Sequence, residues 1–139
     1  MSVLHQQIGE WLGVPVPKTD QKILEIVEGQ LPISAINRLI ALGITRPEID
    51  HLVIPLRTLQ HRRSHRQKLT VEESDRVLRV TRCLSQATSV YGSRERALAW
   101  LRRPHPRLRG RNPLQTLKTD TGGRMVEELL VQIDEGMFV

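Results

Sequence analysis

Only one cysteine, Cys83, stands in the 139 residues. No disulfide can close within the chain, and nothing supports an oxidising compartment. Aromatic residues reach only 3%, so aliphatic side chains must supply most of the apolar burial. No run approaches the roughly 20 apolar residues needed to span a bilayer. The first residues do not pair a cationic segment with an apolar core, so a secretory leader is not expected and the cytoplasm is the default location. Catalytic signals are missing as well. Gly122-Gly123 follows no strand pattern and makes no phosphate loop. Cys83 has no matched histidine base and reads as packing. Glu72, Glu73 and Asp75 gather at a helix start, where acidic groups suit the dipole. We therefore expect no catalytic residue, no cofactor and no metal site.

Positive charge is what the chain has in excess: 21 Lys and Arg against 15 Asp and Glu, a net charge of +6. This favours polyanionic partners only weakly, because net charge governs steering rather than fold. Its distribution says more. Residues 55–68 carry Arg57, Arg62, Arg63, Arg66 and Lys68 with His61 and His65 between them, and no acidic residue. Arg102, Arg103, Arg107, Arg109 and Arg111 form a second patch, whereas the segment from Asp120 is acidic. Such a layout suits more than one partner.

Helical periodicity dominates, and no strand pattern competes. Expected helices cover 20–29, with Ile23, Leu24, Ile26 and Val27 as an apolar stripe, and 32–43, with Ile36, Leu39 and Ile40 inward. Thr45 caps a short helix to Val53, and Leu56 and Leu59 anchor a basic helix after the Ile54-Pro55 break. Thr70 and Glu73 form a capping box for a long helix to Tyr91, which Gly92 ends. Ser93 caps the next, which holds Trp100. Residues 105–111 read as a loop, Asn112-Pro113 as a helix start, and 121–135 as the last helix with Met125, Val126, Leu129, Leu130 and Ile133 inward. The first 19 residues, with Pro15 and Pro17, are expected to be loosely ordered. The chain then divides into this segment, a helix-turn-helix unit over 20–68 and a helical unit over 69–139. The fold class is all-α.

A polar, cationic helix joined closely to a preceding helix is how a helix-turn-helix protein meets DNA. On this reading residues 55–63 offer Arg57, Thr58, Gln60, His61 and Arg62 to the major groove, where Arg pairs with guanine and Gln with adenine. Arg63 and Lys68 neutralise phosphates. The plain alternative is a solvated basic helix end suited to the macrodipole. His61 and His65 stand four apart, but flanking arginines repel a divalent cation and no further ligand is near. The second patch either touches DNA phosphates or docks into an acidic pocket on a protein. The apolar end Met137-Phe138-Val139 either binds a partner or folds back onto the domain.

From Leu69, the run Leu-Thr-Val-Glu-Glu-Ser-Asp-Arg-Val-Leu-Arg-Val is similar to the start of the toxin-binding domain of the Xre/MbcA/ParS antitoxins. Tyr91-Gly92, the Ala97-to-Leu101 run, the Leu108-to-Leu114 run and the closing Thr119-to-Gly123 run follow in order. Leu42-Gly43-Ile44 and the Ile54-to-Leu59 run resemble the Xre-type helix-turn-helix more loosely. Two departures stand out. The glycine usual before the Ile-Pro is missing, so Val53 runs directly into Ile54, and Asp50 occupies a position where a small residue is common. The resemblance implies an antitoxin of a type II toxin–antitoxin pair. Its partner would be a RES-domain, NAD-degrading toxin whose active site it blocks, and it would repress the shared operon by binding operator double-stranded DNA. It further implies that Arg107, Arg109, Gly110, Arg111 and Asn112, with Met137, Phe138 and Val139, face the toxin, guanidinium groups suiting a pocket built for a dinucleotide phosphate. A homodimer and a larger toxin–antitoxin assembly are expected, because one short helix reads too little sequence. The competing reading is a stand-alone transcriptional regulator whose C-terminal half only dimerises.

Overall fold

The computed structural model describes residues 2–137, and every described element is helical. In chain order these are α1 (Val3–Leu12), α2 (Asp20–Glu28), α3 (Ser34–Ala41), α4 (Arg46–Leu52), α5 (Leu56–Ser64), α6 (Val71–Tyr91), α7 (Arg94–Leu101), a 3-10 turn at Pro106–Leu108, α8 (Pro113–Thr116) and α9 (Asp120–Asp134).

Local capping chemistry starts most of them. The hydroxyls of Thr19, Thr45, Thr70, Ser93 and Thr119 each accept from the backbone amide three residues on, satisfying a donor that the helix leaves open. The cap of α2 is thus Thr19, one residue before the expected helix start. At Gly92 the backbone turns left-handed (φ 83°), which stops α6 as the sequence suggests.

The helix α6 organises everything else. Its 21 residues span about 30 Å, and Val77, Val80, Leu84 and Ala87 are fully buried along it. The first half of the chain is fastened to it by polar ties. Leu31 N donates to Ser74 Oγ (2.8 Å), Leu69 N donates to the Leu31 carbonyl (3.0 Å), and Arg76 donates to the Val53 carbonyl (3.1 Å). Its later turns take α7 and α9, and Gln86 Nε2 donates to the Glu127 carbonyl there (3.0 Å). One hydrophobic core therefore runs through both halves.

The expectation of a loosely ordered beginning is corrected by α1. Leu4, Ile8, Trp11 and Leu12 lie at helical spacing, Ile8 and Leu12 are fully buried, and Ser2 caps the helix through the His5 amide. The Ser85 hydroxyl donates to Gln7 and ties α1 to α6. Pro15 and Pro17 follow α1 and do not interrupt it. Two further corrections concern the apolar stripes: Leu24 is 49% exposed and Met125 45% exposed, because each sits just off the buried arc of its helix.

Candidate functional site

The sequence points to two surfaces, and the structure builds both from short, well-capped pieces. The first is the α4–α5 pair. Thr45 and Glu48 form a full capping box: Glu48 N donates to Thr45 Oγ1 (3.3 Å) and Thr45 N to Glu48 Oε1 (2.9 Å). Residues 53–55 make the turn. Val53 has φ −119° and ψ −61°, so the turn asks for no left-handed residue and the missing glycine costs it nothing. Pro55 cannot cap α5 with its side chain. Asp50 does so from the previous helix, its Oδ1 accepting from Leu56 N at 2.8 Å. The two departures from the family pattern thus have one structural answer: a glycine-free turn closed by an aspartate.

Leu59 seats α5 on the core, with Leu56 half-buried beside it. Arg57, Gln60, His61 and Ser64 are exposed at helical spacing and form one outward stripe. Thr58 is half-buried. Arg63 is exposed and makes a long contact to Asn37 of α3 (3.4 Å). Arg62 departs from the expected set. Its side chain turns inward to pair with Glu73, leaving the two with 17% and 9% side-chain exposure. Glu73 also accepts from Thr70 N (2.8 Å), so one carboxylate starts α6 and holds α5 onto it. The His65 ring lies tilted against that of His61 with centroids 4.1 Å apart, and its Nδ1 donates to the His61 carbonyl (2.8 Å), which finishes the helix.

The second surface is the loop between α7 and α8. Its backbone is closed on itself: His105 N donates to the Arg111 carbonyl and Gly110 N to the His105 carbonyl, both at 3.1 Å. Leu108, 3% exposed, plugs it into the core. Arg109 and Gly110 both take left-handed conformations (φ 57° and 78°). For Arg109 this is a strained position that the enclosing hydrogen bonds maintain. Arg107, Arg109 and Arg111 are exposed. Asn112 is committed to the fold, since its Oδ1 accepts from Gln115 N (2.7 Å) and starts α8.

Beside this loop runs α9. A groove of about 190 Å³ lies between them, with Arg107 and Leu108 on one wall and Met125, Glu128 and Gln132 on the other. Met125 and Val131, about 120° apart around α9, and Met137 after it leave 45–61% of their surfaces open. Phe138 and Val139 lie outside the described residues.

Other groups are quiet. Burial pushes the Cys83 thiol well above its ordinary range, and the Glu127 charge adds to it, so no thiolate nucleophile forms there. Among the described residues no three His, Cys, Asp or Glu side chains gather as metal ligands, and no helix is long and apolar enough to cross a membrane.

Comparison with known proteins matches both halves. The antitoxin Xre-like helix-turn-helix domain matches residues 22–82, and the C-terminal toxin-binding domain of the antitoxins Xre/MbcA/ParS matches residues 86–136. The chain is 36% identical over 125 residues to a Pseudomonas putida protein named antitoxin Xre, covering 90% of this chain and 79% of that one. It is 35% identical over 86 residues to an antitoxin Xre of Yersinia enterocolitica, 61% of this chain and 58% of that one. It is also 32% identical over 98 residues to a Sphingobium protein named Prs ADP-ribosylating antitoxin, 64% of this chain and 62% of that one. The two family segments meet inside α6, so no linker separates them.

Proposed function

Because the chain belongs to the Xre antitoxin family of toxin–antitoxin systems, we propose that it neutralises a RES-domain, NAD-degrading toxin and represses its own operon by binding operator DNA. The arginine loop and the end of α9 cover the toxin's active site. The observation that carries this is the closed loop of residues 105–111. It presents Arg107, Arg109 and Arg111 at alternate positions on a backbone closed by its own hydrogen bonds, beside the exposed Met125. Guanidinium groups on a closed loop suit a pocket that accommodates pyrophosphate, because each offers a planar fork to phosphate oxygens and the backbone beneath them is already tied. The Sphingobium relative's name speaks of ADP-ribosylation.

The operator reading rests on the outward stripe of α5. Arg57 and Gln60 occupy its first two turns, where a recognition helix reaches base edges. Four exposed side chains read only a few base pairs, so a homodimer on paired half-sites completes the assembly.

The test is co-expression with the product of the adjacent reading frame. That product should be toxic alone, harmless with this chain, and copurify with it. A double variant Arg57→Ala with Gln60→Ala should lose the gel shift of the upstream duplex and keep neutralisation. A neighbour that is harmless alone and does not copurify would overturn the antitoxin reading in favour of a stand-alone regulator. An unchanged gel shift would remove the recognition assignment.

A further inference from the structure

At the start of α5 stands a charge that helix capping does not require. Pro55 offers no side-chain cap, and Asp50 accepts from the first amide of α5, Leu56 N, through Oδ1 at 2.8 Å. In α1, α2, α4, α6, α7, α8 and α9 the cap that accepts from a first-turn amide is the neutral side chain of a Ser, Thr or Asn. An asparagine caps about as well as an aspartate. The first turn of α5 holds no acidic residue of its own, so Asp50 supplies a carboxylate that the helix itself does not.

The two acids of α4 have different fates. Glu48 is committed within the fold, where Arg102 donates to it through Nε (2.9 Å) and a terminal nitrogen (2.8 Å), and Thr45 N donates to its Oε1. Partial burial pushes the Glu48 carboxyl up, yet the hydrogen bonds from Arg102 and Thr45 outweigh this and hold it below its ordinary value. Asp50 is exposed, and among the described residues no cation pairs with it, so Oδ2 is open to solvent chemistry while Oδ1 holds the helix. Arg57 follows Leu56 directly and is exposed, yet it does not close onto Asp50. Two exposed groups of opposite character thus stand at the first turn of α5: a guanidinium that only donates and a carboxylate that only accepts.

Base edges in the major groove differ in just this respect. Arginine suits the two acceptors of guanine, whereas a carboxylate accepts from the amino group of cytosine or adenine. A phosphate meets the opposite response, because the start of a helix attracts anions and a fixed carboxylate there repels them. We propose that Asp50 is a specificity-determining residue for double-stranded DNA, admitting a cytosine or adenine amino group at the start of α5 and keeping phosphates away from it. This rests on the DNA-reading surface proposed above.

The experiment uses the full chain and two duplexes, one from upstream of its own reading frame and one with the same base pairs in shuffled order. Wild type should prefer the first. Asp50→Asn keeps an acceptor for Leu56 N and removes the charge, so the melting temperature should hold. Its affinity for the shuffled duplex should rise, most at low salt, and the ratio of the two affinities should fall about fivefold or more. When each base pair of the upstream duplex is changed in turn, wild type should require cytosine or adenine at a position where Asp50→Asn accepts any base. Asp50→Ala loses the cap as well, so it should melt lower and show the same fall in ratio. Glu95→Gln, at an exposed acid on α7, should leave the ratio unchanged. An unchanged ratio in Asp50→Asn, or an equal fall in Glu95→Gln, overturns the inference. A fall confined to Asp50→Ala overturns it too, since Asp50 then only caps, as does a wild type that binds both duplexes equally. No binding to either duplex removes the DNA-reading surface and the inference with it.

Discussion

Replacing Arg62 by alanine should destabilise the protein by about 2–4 kcal/mol, although the outer face of α5 is open to water. The reasoning starts from Glu73, which is 7% exposed and relies on Arg62 as its counter-charge. Removing one member of a buried ion pair costs ~3–5 kcal/mol, because the other is left charged and desolvated. Here Glu73 keeps its hydrogen bond from Thr70 N, and the 17% exposure of Arg62 shows that water lies close by. Both facts reduce the cost to about 2–4 kcal/mol. For a chain of this size the melting temperature should fall by about 8–15 °C. Urea denaturation with linear extrapolation gives the free energy directly. Arg63→Ala is the companion measurement, since Arg63 is exposed with one long hydrogen bond, and it should change stability by less than about 0.5 kcal/mol. The double variant Arg62→Met with Glu73→Met should recover most of the loss, because two apolar side chains carry no desolvation penalty. Some deficit, ~1 kcal/mol, should persist because Thr70 N loses its acceptor on Glu73. An Arg62→Ala protein within about 0.5 kcal/mol of wild type would refute the buried pair. Operator affinity of the double methionine variant then assigns Arg62 finally: affinity within about twofold of wild type means that it holds the helix and does not read DNA.

Two other expectations concern packing and pH. Gly122 begins α9 so close to the Thr116 carbonyl that a Cβ would collide with backbone; Gly122→Ala should cost ~1–3 kcal/mol. Gly123→Ala meets only the flexible side chain of Arg79 (3.1 Å), and helix propensity should keep it near neutral by comparison. For Glu48, the folded carboxyl titrates below its ordinary value of 4.5. Its contribution to stability is therefore complete above that value and is lost as pH falls through the lower, folded one. Melting curves of wild type and Glu48→Gln should converge as pH falls from about 6 to about 3. Curves that run parallel over that range would contradict the assigned hydrogen bonds.

Local chemistry was legible in the sequence, and long-range chemistry was not. Thr45, Thr70, Ser93 and Asn112 each announce a helix because the capped amide lies three residues away. The fold class follows from them together with the apolar spacing. The helix α1 carried the same signal in Leu4, Ile8, Trp11 and Leu12, but the following prolines obscured it. Arg62 looks like its neighbours in a basic run; only the partner eleven residues on, brought near by the fold, sets it apart. Arg102 and Glu48 lie 54 positions apart, and nothing local marks either for the other. Asp50 reads as a departure from a pattern until Pro55 is seen to lack a cap.

The position of α6 bears on whether the two family segments can be separated at all. The family segments meet between residues 82 and 86, within a helix whose Cys83, Leu84 and Ser85 are all buried. A cut there would open the shared core. A cut at residue 68 would fare no better, because α5 would lose Glu73, Leu31 would lose Ser74, and the Val53 carbonyl would lose Arg76. Each of those is a buried or half-buried polar group whose partner sits on α6, and stranding it costs more than the bond itself contributes. The two halves are thus not separable as folding units.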